Sequence, residues 1–282
     1  MRRDVLELRQ FYAGPLGKIA RQMVARKLSQ AWGDGHGLDM LGLGYATPFL
    51  DSFRPKARRT VAAMPAAQGV EVWPNPLGGA GAVDEPEPRP VLGLSCLTDE
   101  LALPHPNALF DRILMVHALE ESDDPLAVMR EVGRVMAPSG RVIIVAANRR
   151  GAWANSEATP FGHGRPFTRS QIEALVRQAG LEPTAWSRAL YMPPVAWLGP
   201  WAEALEQAGA RLWPGLSGLI LLEAVKQTFA VKPKGHRARA RVMSPGALQP
   251  LPSPSTGRDR VTKALSSGRA WTFRLFGLRL RH

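Results

Sequence analysis

Gly42 and Gly44 stand one residue apart at the end of a short apolar run, residues 38–43, and Thr47 and Pro48 follow closely. A strand that ends in Gly-x-Gly and feeds a helix lets a ligand approach the backbone, and the helix start offers free N–H groups and a partial positive charge. The same glycines also serve as an ordinary structural turn. The third glycine of the dinucleotide fingerprint is absent, because Thr47 stands in its place. That disfavours a dehydrogenase and leaves open a nucleoside ligand without a pyrophosphate. Further on, His117 follows the contiguous run Ile113, Leu114, Met115 and Val116. At the carboxyl end of a buried strand an imidazole is a candidate general base, or equally a structural or ligand-lining ring. Glu120 and Glu121 come next, with a solvated turn as their default reading. Arg149 and Arg150 leave a later apolar run, where they can meet an anionic substrate or face water. His163 lies between Gly162 and Gly164, in a loop that could close over a substrate.

These residues need elements to hold them. Residues 4–32 read as one amphipathic helix, with Tyr12, Leu16, Ile19, Met23 and Leu28 at helical spacing, broken at 33–37. Strands are expected at 38–43, 59–64, 91–96, 110–119, 141–147, 184–191 and 218–225. Thr47-Pro48 and Asp124-Pro125 read as helix starts, a cap followed by proline at the first helical position. The first of these helices should end before Pro55. Thr168 and Gln171 form a capping box before a third helix that Gly180 closes. Helices alternate with apolar strands through residue 180. That pattern predicts an α/β fold with a parallel sheet covered on both faces. Residues 74–90 read as a surface loop.

Of the 282 residues 45% are hydrophobic, enough for one sizeable core or one domain with an appendage. The single cysteine, Cys96, excludes an internal disulfide and Cys-x-x-Cys metal clusters, so no metal is expected. No signal-peptide core and no long apolar span appears, which makes a cytoplasmic location the expectation. The net charge of +12 is concentrated: residues 231–282 hold twelve Lys or Arg and one acid, Asp259, hence +11. The remainder is near neutral, so the basic character belongs to a tail. From Lys232 to Arg260 that tail is rich in Pro, Ser, Gly and Arg and is expected to be disordered.

The pieces also occur in a familiar order. Leu41-Gly42-Leu43-Gly44-Tyr45-Ala46 resembles motif I of class I S-adenosylmethionine-dependent methyltransferases. Asp99-Glu100-Leu101-Ala102-Leu103-Pro104, followed by Phe110-Asp111-Arg112-Ile113-Leu114, is similar to the family's acidic turn, Leu-Pro and Phe-Asp segments. Glu131 to Arg141 resembles the run that precedes its fifth strand, with Ser139 replacing a glycine. The match is best to the type 11 subgroup and covers roughly residues 38–183. It implies a Rossmann-like sheet, mostly parallel, with an antiparallel C-terminal strand and helices on both faces. It implies S-adenosylmethionine as cofactor, held by Gly42, Leu43, Gly44 and Tyr45 at the amino-acid moiety and by Asp99 and Glu100 at the adenine, with His117 nearby. Two departures stand out: motif I continues Tyr45-Ala46, and the second strand lacks the acid that would hold the ribose hydroxyls.

Three segments follow from these readings: an N-terminal helix over 1–37, a methyltransferase-like domain over 38–230, and the basic tail over 231–282. Residues 192–216 form a Trp- and Pro-rich insertion between the last two strands. Within it, Trp197 and Trp201 are candidates for a cap over an apolar substrate, a contact with a partner or membrane surface, or a satellite core on the N-terminal helix. The expected activity is methyl transfer to a small or apolar acceptor; the alternative is a non-catalytic binding or regulatory protein on the same fold. The tail, ending in aromatics mixed with arginines, suits anionic lipid or nucleic acid.

Overall fold

The N-terminal amphipathic stretch folds as two helices rather than one. In the computed structural model, which describes residues 3–74, 93–226 and 249–250, α1 spans Val5–Ala13 and α2 spans Pro15–Trp32. Pro15 has no N–H to continue the ladder, and it holds Gly14 in extended backbone (φ −76°, ψ 170°). The chain bends there. Asp4 caps α1 by accepting from the Leu6 N–H at 2.9 Å.

The strands are β1 (Asp39–Gly44), β2 (Arg59–Pro65), β3 (Ser95–Thr98), β4 (Phe110–Val116), β5 (Met136–Ala147), β6 (Leu181–Ala189), β7 (Leu219–Lys226) and β8 (Gln249–Pro250). They form one sheet in the order β3-β2-β1-β4-β5-β7-β6-β8. The first five run parallel, while β7 is antiparallel to both β5 and β6. This is the Rossmann-like sheet the sequence predicts. The carboxyl ends of β1 to β5 therefore share one edge, and the strand order reverses between β1 and β4, where open α/β sheets hold their ligands.

The remaining helices are α3 (Thr47–Leu50), α4 (Pro125–Val135), α5 (Arg169–Gln178) and α6 (Ala202–Leu212). Alternation along each strand divides the core between two faces. Leu114 and Val116 of β4 pack with α1, α2 and α3, and Ile113 and Met115 pack with α4 and α5. Asp124 caps α4, and the Thr168–Gln171 capping box opens α5 as expected.

Some boundaries differ from the sequence reading. Helix α3 is a single turn, and Thr47 does not cap it; the hydroxyl donates instead to Glu71 Oε1 at 2.9 Å. β5 begins at Met136 and runs through the Pro138-Ser139-Gly140 turn signal, with Ser139 in the left-handed region at φ +63°. An L-residue there carries a cost of about 1 kcal/mol that the family's glycine avoids. The insertion is a 3-10 turn, Ala196–Trp201, followed by α6. Most of the 74–90 loop, and the basic tail apart from Gln249–Pro250, lie outside the described residues, as do the tail's expected lipid or nucleic-acid contacts. Among the described residues no helix is long and apolar enough to cross a membrane, and no cluster of His, Cys, Asp and Glu could hold a metal.

One fully buried carboxylate ties the antiparallel end of the sheet to its cover. Glu223 of β7 accepts from Arg141 of β5 at 2.9 Å, from the Trp32 indole of α2 at 3.0 Å and from Thr184 of β6 at 3.2 Å. Removing the carboxylate takes a charge-assisted partner from each of the other three side chains. Glu223→Ala is expected to lower the urea-unfolding free energy by about 3–5 kcal/mol; a loss below 1 kcal/mol would show that the group is not a structural tie.

Candidate functional site

β1 leaves the sheet at Gly44, whose φ is +82°. A Cβ at Gly44 would lie 2.2 Å from the Val116 carbonyl oxygen of β4, and one at Gly42 would press on Leu50 and Ala46 at 2.6–2.7 Å. Both glycines are therefore required by the chain's own packing, the first by the approach of β4 and the second by the approach of α3. The Tyr45 N–H donates to Val116 O at 2.9 Å, and the Leu43 side chain is buried toward α4 and α5.

Aromatic side chains fill the space over this turn. The Tyr45 ring is buried and stacks on Tyr12 of α1, with centroids 5.6 Å apart. The Tyr12 hydroxyl lies 2.9 Å from His117 Nε2. His117 is also buried, sits at φ +51°, and has its ring 4.5 Å from that of Phe161. Burial first, and the nearby Arg3 charge second, push the imidazole down to about 3. Burial raises the Tyr12 phenol well above its ordinary range. At neutral pH His117 is thus uncharged and Tyr12 protonated, and the imidazole tautomer sets which of the two donates. The imidazole nitrogen that a general base would use is already engaged.

Helix α1 lies across the carboxyl edge, fastened to loops from three strands. Its Val5 N–H donates to Gln68 O after β2, and the Arg3 N–H donates to Glu121 after β4, at 2.9 and 2.8 Å. The Arg3 guanidinium meets His163 Nε2 in the loop after β5, which also lies 3.1 Å from Glu157 O. Among the described residues, neither carboxamide atom of the buried Gln68 side chain is hydrogen-bonded, and the buried Ser122 hydroxyl also lacks a partner. Along the outer flank of α1, a cavity of about 420 Å³ separates the α1–α2 bend from residues 158–160. Below the helix, Glu120 accepts the Ala147 N–H with its carboxylate and the Arg165 N–H with its carbonyl, at 3.0 and 2.7 Å, joining the loops after β4 and β5.

The other residues singled out in the sequence lie elsewhere. Asp99 is exposed at the end of β3, where its carboxylate accepts the Leu101 N–H at 2.9 Å and so caps its own turn; Glu100 beside it is half-buried. Arg149 donates to the Pro166 carbonyl. Trp197 and Trp201 are 75% and 64% exposed, while their segment packs on the α2 face through Leu198, Ala202 and Leu205. The structure thus joins the Gly42–Tyr45 turn to His117, and through Arg3 links α1 to His163. It leaves Asp99, Arg149, Trp197 and Trp201 apart from that cluster. Sequence reading missed Tyr12, Phe161, Gln68 and Glu71. Only Tyr12 carried a signal, as an apolar-face position of the first helix.

S-adenosylmethionine is the cofactor the sequence resemblance implies. The frame suits an adenosyl ligand: the turn lies at the strand-order reversal, and unpaired polar atoms are buried at Gln68 and Ser122. The filling does not. Tyr12 and Tyr45 take the space over the turn, the Tyr45 N–H is spent on Val116, and β2 ends without an acid. In this conformation the residues present do not fit the cofactor.

The family described as a methyltransferase domain matches residues 24–185, more than half of the chain. Uncharacterized proteins of Mycobacterium tuberculosis and Mycobacterium bovis are 29% identical to it over 138 residues, 46% of this chain and 47% of theirs. The chain spans about half the length of the curated relatives it matches. Among solved structures, a SAM-dependent methyltransferase of Thermotoga maritima superposes with a TM-score of 0.52 at 14% identity, over 79% of this chain and 96% of that one. A chain from the complex of the Haloferax volcanii Trm112 methyltransferase activator with a methyltransferase gives 0.54 at 17% identity, over 81% and 100%. Identities this low show the fold alone.

The depressed His117 pKa has a consequence for stability. Unfolding returns the ring from about 3 to its ordinary 6.5, so between those values the unfolded chain binds the extra proton. The contribution is fully present above pH 6.5 and is lost as pH falls toward 3. Urea unfolding from pH 7 to 4 is expected to show a steeper loss for the native protein than for His117→Gln. Parallel curves would mean that the ring is not buried neutral.

Proposed function

The chain belongs to the methyltransferase-domain family, and from that premise we propose that it transfers a methyl group from S-adenosylmethionine to a small or apolar acceptor, with α1 acting as a lid that lifts before the cofactor enters. The observation that carries this reading is the source of the filling. The ring that stacks over the turn comes from Tyr12, on a nine-residue helix joined to α2 through the Gly14–Pro15 bend. That helix is held to the sheet edge by polar contacts to Gln68, His117, Glu121 and His163, each of which water can replace, and by the buried side chains of Val5, Leu8 and Tyr12, whose exposure is the cost of lifting it.

With the lid raised, the backbone of Gly42, Leu43, Gly44 and Tyr45 would line the amino-acid moiety, and Asp99 and Glu100 the adenine. Gln68, which follows β2 with both carboxamide atoms unpaired, takes the place of the missing acid toward the ribose hydroxyls. The bound cofactor would supply an electrophilic sulfonium methyl; the chain's part is to position the acceptor and exclude water. His117 becomes an effective proton acceptor only once Tyr12 leaves and water reaches the ring, since burial is what depresses it. His163 and Arg149 stand in the loop after β5, on the acceptor side. Trp197 and Trp201 would meet an acceptor only if their segment turned inward.

A second reading, a non-catalytic binding protein on this fold, is favoured by the Tyr12–His117 pair, whose members already satisfy each other. Calorimetry with S-adenosylhomocysteine separates the two. Tyr12→Ala is expected to bind it at least about tenfold more tightly than the native chain, the gain of roughly 1.4 kcal/mol that removing one competing contact provides. Gln68→Ala in the same background should weaken it again. If neither the native chain nor Tyr12→Ala takes up the ligand at millimolar concentration, the methyl-transfer reading fails and the non-catalytic one stands.

A further inference from the structure

A second basin opens where β5 and β6 end and α5 begins. Its volume is about 390 Å³, and Asn148, Arg150, Thr168, Arg169, Ser170 and Arg188 line it, with Glu173 and Ile220. Three of these side chains are guanidinium groups and one is a carboxylate. The carboxylate is shared: Glu173 pairs with Arg169 and, at 3.6 Å, with Arg177 outside the basin.

Two of the cations are held in place. The Arg169 and Arg188 guanidinium groups lie over the ring of Trp186, 4.1 and 4.6 Å from its centroid, and that indole is itself buried. Cation–π contact fixes both groups near each other and cannot neutralise either. Burial, and more weakly the charge of Arg169, lower the Arg188 pKa, the signature of a cation short of compensation. Its polar partner is the Tyr191 hydroxyl, and among the described residues neither Arg188 nor Arg150 forms an ion pair with a carboxylate. The start of α5 adds donors to the same wall. The Thr168 hydroxyl accepts the Gln171 N–H and pairs with the Ser170 hydroxyl at 3.1 Å, beside the positive end of a ten-residue helix.

We propose that this basin binds the phosphate group of a small phosphorylated molecule. Its residues leave an excess of two positive charges, which a phosphate monoester carrying about −1.5 to −2 at neutral pH would balance. Planar guanidinium forks, hydroxyls and a helix N-terminus are the groups that recognise a phosphate. The volume exceeds what a phosphate alone fills, leaving room for a compact organic body against Ile220. The site is separate from the crevice under α1 and does not depend on methyl transfer.

Calorimetric titration of the full chain with inorganic phosphate and with glycerol phosphate, against sodium chloride at equal ionic strength, tests it. Saturable binding of both phosphates is expected, with a rise in melting temperature that chloride does not produce. Arg150→Gln removes an exposed side chain and should weaken phosphate binding about tenfold, one charge-assisted contact. Ser170→Glu places an acid where a helix start favours it, so it should stay folded while abolishing binding. Unsaturable heats, or equal affinity in both variants, would overturn the proposal. Binding confined to single-stranded RNA or to anionic vesicles, with neither small phosphate bound, would overturn it in favour of a polyanion surface.

Discussion

The hydrogen bond between Tyr12 and His117 closes the carboxyl edge of this sheet into an interior. Each group is buried, and each is the other's partner. A buried polar group stripped of its partner costs about 1–3 kcal/mol, so a half-raised α1 would leave both unpaired. The helix is seated with both groups paired, and the proposed raised position requires water or a ligand to take over both. Stacking of Tyr12 on Tyr45 and packing of His117 against Phe161 extend the same condition to the turn and to the loop after β5.

Most residues that carry the family likeness act as fasteners. Gly42 and Gly44 admit α3 and β4 at close range. Asp111 accepts the Asp39 N–H and so pins the start of β1 beside β4. Glu131 and Arg134, one turn apart on α4, bracket the preceding loop: the carboxylate accepts the Leu103 N–H, and the guanidinium donates to the carbonyls of Leu103 and His105. A sequence can keep these residues, and with them the fold, whatever becomes of its chemistry. That is why the likeness reports architecture more directly than activity.

The same distinction explains what could be read in advance. Strands β1, β2, β4 and β7 were legible because contiguous apolar runs suit strands buried on both faces. α4 and α5 were legible because their caps are local. Pro15 was visible too, yet the apolar spacing on either side of it read as one continuous helix. β5 begins earlier than its turn signal suggested because pairing of Met136 with Phe110 outweighs the local preference of Pro138-Ser139-Gly140. The site was less legible. Tyr12, Gln68 and Phe161 come from three separate stretches that meet only once the chain folds. Arg149 and Arg150 were a pair in sequence, but the first turns to the Pro166 carbonyl and the second lines the basin at α5, a division set by the direction in which the chain leaves β5.

Glu120 sets which parts of the edge can move independently. By holding both Ala147 and Arg165 it makes the loops after β4 and β5 one body, so the opening proposed above moves the short helix on its Gly14–Pro15 bend and leaves those two loops together. A site guarded by one such part fills with a characteristic rate law. At low ligand concentration capture is proportional to concentration, and at high concentration it levels off at the rate at which the helix detaches. That plateau would be a property of the chain alone, the same for every ligand that uses the crevice.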